Sequence, residues 1–247
     1  MDAETLRAYL EYYQDLGIKT LYRRAGEPLA DARGPVIDGR GSVFDAPDVT
    51  EPRPSGSVEP LFRILEDIGD CHRCRLHEQR TKIVFGVGNE QSKLVFVGEG
   101  PGADEDAQGI PFVGRAGQLL TQMIEGTAKK EGIPLLRKDV YICNVVKCRP
   151  PENRTPQPDE MEVCGQFLAR QLLAIAPKAI CALGSTAAKY LTHSKEGVTR
   201  MRGNWYKWND IPVMVTYHPS YLLRAYNVGP KREAWEDLKK VLHFVYD

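Results

Sequence analysis

Four cysteines are placed to do metal chemistry. Cys71 and Cys74 form a C-x-x-C pair, and Cys148 and Cys164 follow far downstream with fifteen residues between them. Four thiolates can hold one zinc ion or one iron–sulfur cluster, and spacing leaves both open. The C-x-x-C lies in DCHRCRLHEQR, too polar for a core and without the preceding strand of a thioredoxin-like redox motif. Cys143 and Cys181 fall in apolar runs and read as small buried residues. The downstream pair brackets KCRPPENRTPQPDEMEVC, rich in Arg and Pro. A metal-pinned loop carrying arginines suits a surface that meets phosphates.

Acid–base and recognition chemistry cluster elsewhere. Residues 98–117, GEGPGADEDAQGIPFVGRAG, pack six glycines and two prolines into a loop feeding a helix that begins near Gly114. Exposed amides at a helix start bind anions, but Glu99, Asp104, Glu105 and Asp106 would repel a phosphate. Carboxylates suit orienting a water or stabilising a developing cation. Phe112 reads either as core or as a stacking platform for a planar ligand. Asn144 interrupts the apolar run YICNVVKC, where asparagine is disfavoured; it is either a satisfied structural amide or one that reads a base edge. In YHPSYLLR, residues 217–224, His218 leaves a strand, Pro219 and Ser220 turn the chain, and Leu222, Leu223 and Arg224 project beyond.

The elements that must hold these residues alternate. Apolar runs at 94–97, 140–146, 179–183 and 213–217 lack polar alternation, as strands buried on both faces do. Helical stretches at 116–130, 158–174, 185–191 and 231–244 separate and follow them. Alternation of this kind predicts a doubly wound α/β fold, with ligands beyond the C-terminal strand ends. Gly98, Glu99 and Gly100, Asn144 with Lys147, Gly184 with Ser185, and His218 with Ser220 occupy those ends. Residues 1–25 form an N-terminal extension with a predicted helix over 4–24, residues 26–60 a Pro/Gly-rich linker, and residues 61–247 the folded body.

The 247-residue chain is 42% hydrophobic, enough for a core, and has no apolar stretch of membrane-spanning length. Its N-terminus lacks a signal-peptide core, so a cytoplasmic location is expected. Net charge is zero, but residues 1–60 carry 7 Lys+Arg against 11 Asp+Glu. The body is correspondingly basic.

GEGPGADEDAQGIPFVGRAG, NVVKCRPPENRTP and HPSYLLR together resemble the signature blocks of family 4 uracil-DNA glycosylases, the iron–sulfur branch of that superfamily, over about residues 61–247. The resemblance implies a three-layer α/β/α sandwich with a central four-stranded parallel sheet, and a [4Fe–4S] cluster on Cys71, Cys74, Cys148 and Cys164. It implies excision of uracil from single- or double-stranded DNA by hydrolysis of the N-glycosidic bond. Uracil would stack on Phe112 in a pocket that includes Gly98 and Gly100. Asn144 would pair with N3–H and O4, and His218 with O2. Glu99, with His218 and Glu105, would form the catalytic set. Glu99 would orient water, and Glu105 would shape the pocket near uracil C5. No Asp stands at the position usually credited with water activation, which makes Glu99 the first choice. Leu222, Leu223 and Arg224 would form a wedge entering the DNA, Ser220 would contact it, and Lys147, Arg149 and Arg154 would touch phosphates. A monomer is expected, and the N-terminal extension could tether a repair or replication partner or pack on the body. Two other readings are a non-enzymatic iron–sulfur or zinc DNA-binding module, and a relative that traps uracil-DNA covalently. The histidine-free loop after the second strand disfavours trapping.

Overall fold

The computed structural model describes residues 59–224 and 227–247; the expected N-terminal helix and most of the expected linker lie outside the described residues. A six-stranded sheet runs in the order β1-β3-β2-β4-β6-β5. Its strands are β1 (Val87–Gly88), β2 (Leu94–Gly98), β3 (Tyr141–Asn144), β4 (Ala179–Leu183), β5 (Trp205–Trp208) and β6 (Ile211–Thr216). The four apolar runs of the sequence are its inner strands. β2 pairs in parallel with β3 and β4, and β4 in parallel with β6. The expected four-stranded sheet is thus extended by two antiparallel edges, β1 on β3 and β5 on β6. Both edges escape the apolar signature: β1 is two residues long, and β5 leaves Trp205 and Lys207 exposed.

Side-chain alternation builds a core on each face. Val95, Val97, Ile180, Ala182, Val213 and Val215 face one side, with Ile64 of α1 (Leu61–Ile68), Phe167, Leu168 and Leu172 of α4 (Pro158–Ile175) and Leu191 of α5 (Gly184–Thr192). Leu94, Phe96, Cys181 and Met214 face the other, against Leu120 and Ile124 of α3 (Arg115–Lys130) and Leu238 and Val241 of α8 (Val228–Tyr246). Three short helices complete the body: α2 (Ala103–Gln108), α6 (Val198–Met201) and α7 (Pro219–Leu222).

From β2 the chain goes first to β3 on one side, through α3, and then returns to β4 on the other, through α4. The strand order therefore reverses at β2, which opens a crevice at the C-terminal strand ends. The 140–146 run leaves the regular strand after Asn144, yet the Val145 and Val146 amides still donate to the Gly98 and Glu99 carbonyls at 3.0 and 3.2 Å. This extra pairing holds Glu99 beside Asn144.

Candidate active site

Each inner strand delivers its end to one cavity of about 330 Å³, lined by Glu99, Glu105, Phe112, Asn144, Gly184, Ser185 and His218 among others. That is the small end of the range for small-molecule sites, ~300–1,000 Å³. Two glycines let its walls close in. A Cβ on Gly98 would lie 2.5 Å from Phe112 Cζ and would also strike Asn144 Oδ1. Gly184 has φ +88°, and a Cβ there would approach His218 Cβ to 2.8 Å.

Phe112 is buried and takes a left-handed backbone conformation, φ 56°. Arg137 secures it: Nη2 donates to the carbonyls of Pro111 and Phe112 at 2.9 and 3.0 Å, and Nη1 to Thr121 Oγ1 at 2.9 Å. The Phe112 and His218 rings adjoin, with centroids 5.6 Å apart and planes tilted by 33°. Asn144 is buried, and its Oδ1 has no hydrogen-bond partner among the described residues. An unsatisfied buried acceptor costs about 1–3 kcal/mol, so this oxygen is one that a ligand's donor would satisfy.

His218 Nδ1 accepts from the Ser220 backbone N–H at 3.2 Å and lies 2.8 Å from Ser220 Oγ. A backbone N–H can only donate, so in the neutral ring the proton sits on Nε2. Desolvation pushes the His218 pKa down to about 4. The cavity therefore holds a neutral imidazole with one donor.

The loop carboxylates separate by partner. Glu105 Oε1 accepts from the amides of Val113 and Gly114, both at 2.9 Å, and Oε2 from that of Gly102 at 3.1 Å. Asp106 is buried and accepts from the Thr81 and Lys82 amides at 2.9 and 3.3 Å. Both staple the loop. Glu105, expected in the catalytic set and to shape the pocket, lines the cavity with both oxygens accepting from backbone amides. Glu99 Oε2 accepts from the Thr186 hydroxyl, while Oε1 has no protein donor among the described residues. Thr186 and Arg137 are absent from the sequence candidates. Thr186 sits in the first turn of α5 and carried only the weak signal of following a strand's C-terminal end.

The expected DNA face is also redrawn. Lys147 is 1% exposed, with its ammonium on the Asn144 carbonyl at 2.8 Å and Gln171 Oε1 at 2.6 Å; it does not face a phosphate. Leu222 is core, packed with Tyr217 and Ala234. Leu223 is half-buried, while Tyr221, Ser220 and Arg224 are exposed. Arg149 is half-buried and donates to Asn153 Oδ1 at 2.8 Å. Arg154 borders the cavity but pairs bidentately with buried Glu160, at 2.8 and 2.6 Å. That guanidinium holds the Glu160 carboxyl below the usual carboxylate range.

The four cysteines converge: Cys71, Cys74, Cys148 and Cys164 line a single small cavity with Arg80, Lys147 and Phe167. Cys143 and Cys181 are buried within β3 and β4 and do not line it. Burial pushes the Cys148 thiol up to about 12 and the Cys164 thiol to about 11. Such thiols ionise only beside a cation, which is what a bound metal supplies. Two donors already point at the sulfurs: Arg80 Nη1 to Cys148 Sγ at 3.6 Å, and the Lys147 amide to Cys164 Sγ at 3.2 Å. Among the described residues, no three His, Cys, Asp or Glu side chains are grouped to hold one metal ion.

Comparison with known proteins agrees with this geometry. The profile of the uracil DNA glycosylase superfamily matches residues 85–239. A type-4 uracil-DNA glycosylase from Thermotoga maritima is 47% identical over 190 residues, 76% of this chain and 96% of that protein. Type-4 enzymes from Archaeoglobus fulgidus and Sulfurisphaera tokodaii are each 44% identical over 74% of this chain, covering 92% and 84% of their own lengths. A fold with its cavity at the strand ends, and relatives matched over nearly their full length, place this chain among the type-4 uracil-DNA glycosylases.

Proposed function

We propose that this protein hydrolyses the N-glycosidic bond of deoxyuridine in DNA, releasing uracil and leaving an abasic site. The orphaned Oδ1 of Asn144, in one cavity with Phe112 and a neutral His218, carries the reading. A uracil flipped from the stack stacks on Phe112 and donates its N3–H to Asn144 Oδ1. His218 Nε2–H donates to uracil O2. Cytosine presents an acceptor at N3, leaving two buried acceptors face to face, and a site built to pair a donor rejects such an analogue strongly.

When the C1′–N1 bond breaks, its electron pair leaves with uracil and spreads onto O2, where a donor held in place beforehand stabilises it. The sugar cation develops near the Glu99 carboxylate. Glu99 Oε1 orients the water that adds to C1′ and accepts its proton, and the uracil anion takes a proton from solvent on release. Gly98 and Gly100 shape the pocket by keeping side chains out of it. Leu223 and Tyr221 follow the flipped nucleotide into the duplex, and Arg149 and Arg224 contact phosphates.

Cys71, Cys74, Cys148 and Cys164 share one cavity and would together hold the [4Fe–4S] cluster that the family resemblance implies. When bound, the cluster supplies a cross-link between the Cys71–Cys74 turn and the arginine-bearing loop; hydrolysis transfers no electrons. Among the described residues, no helix is long and apolar enough to cross a membrane.

The test is single-turnover excision on uracil-containing strands, with and without alkali. Strand cleavage that appears only after alkali is the expected result, and an inert wild-type protein would overturn the reading. Asn144→Asp, whose protonated carboxyl can donate to cytosine N3, should relax discrimination against cytosine. A variant that still ignores cytosine would refute the readout by the amide.

A further inference from the structure

Among the described residues, buried carboxylates are answered by arginines or, at Asp106, by backbone amides, and one buried cation has no anion. Glu160 meets Arg154 and Arg75, Asp237 meets Arg202, and the largely buried guanidinium of Arg80 meets Asp70. Lys147 is as buried as these carboxylates, but its ammonium donates only to neutral acceptors, the Asn144 carbonyl and the Gln171 side-chain oxygen. Among the described residues no carboxylate pairs with it. Its acceptors are themselves fixed, since Gln171 Nε2 donates to the Phe85 carbonyl at 3.0 Å and to Tyr141 Oη at 3.2 Å. A buried ammonium without an anion is costly.

The missing anion has a place. Lys147 lines the cysteine cavity, precedes Cys148 in the chain, and donates its backbone N–H to Cys164 Sγ. A [4Fe–4S]²⁺ core held by four thiolates is a dianion. We propose that Lys147 is the internal counter-cation of the cysteine-bound centre, tethered at the same time to the backbone of the base-reading residue Asn144. This rests on the cluster reading above. Arg80 approaches Cys148 from its own side but shares its charge with Asp70, which leaves Lys147 as the cation without another anionic partner.

A cation beside the centre favours its reduced, more negative state, so removing that charge should lower the midpoint potential. The experiment compares full-length wild type with Lys147→Met, Lys147→Arg and Gln171→Glu. Iron and sulfide content and visible absorption of the wild type come first; a wild type without iron overturns the cluster reading and this proposal with it. With the cluster present, voltammetry reads the proposal separately. Lys147→Met, which removes the charge, should shift the potential negative and speed iron loss to a chelator. Gln171→Glu keeps the lysine but gives it a carboxylate, and should shift the potential in the same direction. Lys147→Arg should stay near wild type. If Lys147→Met does not fold, Gln171→Glu decides. Potentials unchanged from an iron-loaded wild type would overturn the role of Lys147.

Discussion

A carboxylate proposed to orient a water, as Glu99 is here, needs its own orientation fixed, and the hydroxyl of Thr186 binds one of its oxygens and leaves the other to the cavity. Removing the charge by Glu99→Gln should lower single-turnover excision by about 10²- to 10⁴-fold, the span general for acid–base groups. Binding of uracil-DNA, read by fluorescence anisotropy, should hardly change. Thr186→Val frees the carboxylate without removing it, so a smaller loss, about tenfold and in kcat, is expected. A Glu99→Gln enzyme at wild-type rate would remove that residue from the mechanism. Asn144 and His218 are legible in the sequence because a polar side chain ending an apolar strand is conspicuous. Glu99 and Glu105 are not separable there: they are the same residue type six positions apart, and only the three amides converging on Glu105 set it apart from the carboxylate proposed to act on water. Thr186 and Arg137 act through contacts across the fold that no local pattern announces.

The short helix α7 shows the same division within one element. Its start is set by His218, which caps the Ser220 amide, and by Pro219 in the first turn. Adjacent leucines then diverge, because a helical turn cannot present both to one side. Leu222 joins Tyr217 and Ala234 in a small core, and Leu223 is left at the surface edge. Leu222→Ala should therefore cost about 2–5 kcal/mol of stability, visible as a lower melting temperature. Leu223→Ala should leave melting nearly in place but slow excision from duplex more than from single strands, where no stacked neighbour has to be parted. Equal melting losses in the two variants would contradict this assignment. At this scale the inner strands are legible since burial on both faces leaves an unbroken apolar run. The edges β1 and β5 are not, because a strand with one open face and a tryptophan in solvent resembles a loop in sequence. α2 is hidden for another reason: its ADEDAQ sequence has no apolar face, and it is held instead by the Glu105 and Asp106 carboxylates accepting backbone amides.

For the molecule as a whole, a net charge of zero conceals where cations can meet DNA, and folding narrows the choice further than sequence counting suggests. By position Lys147, Arg149 and Arg154 are candidate phosphate ligands, and Arg224, expected in the wedge, adds a fourth cation. In the fold Lys147 is buried, and the charge of Arg154 is matched by Glu160, which also holds Arg75 and the Gln157 amide. The proposed phosphate contacts are the other two, half-buried Arg149 and exposed Arg224. Each phosphate neutralised on duplex DNA contributes about −0.9 to the slope of log K against log salt, so two contacts give about −1.8 and four about −3.6. Between 50 and 200 mM salt that separates a loss of about 12-fold from one of about 150-fold, well within the reach of an anisotropy titration on uracil duplex. The shallower slope is expected. Arg154→Gln should leave it unchanged while lowering the melting temperature, because the arginine's work is inside the protein, holding the carboxylate that caps α4. A slope near −3.6 that falls by one contact in Arg154→Gln would mean that Arg154 exchanges Glu160 for phosphate on binding, and the arginine-bearing loop would then be a switch between two anions and no longer a fixed surface.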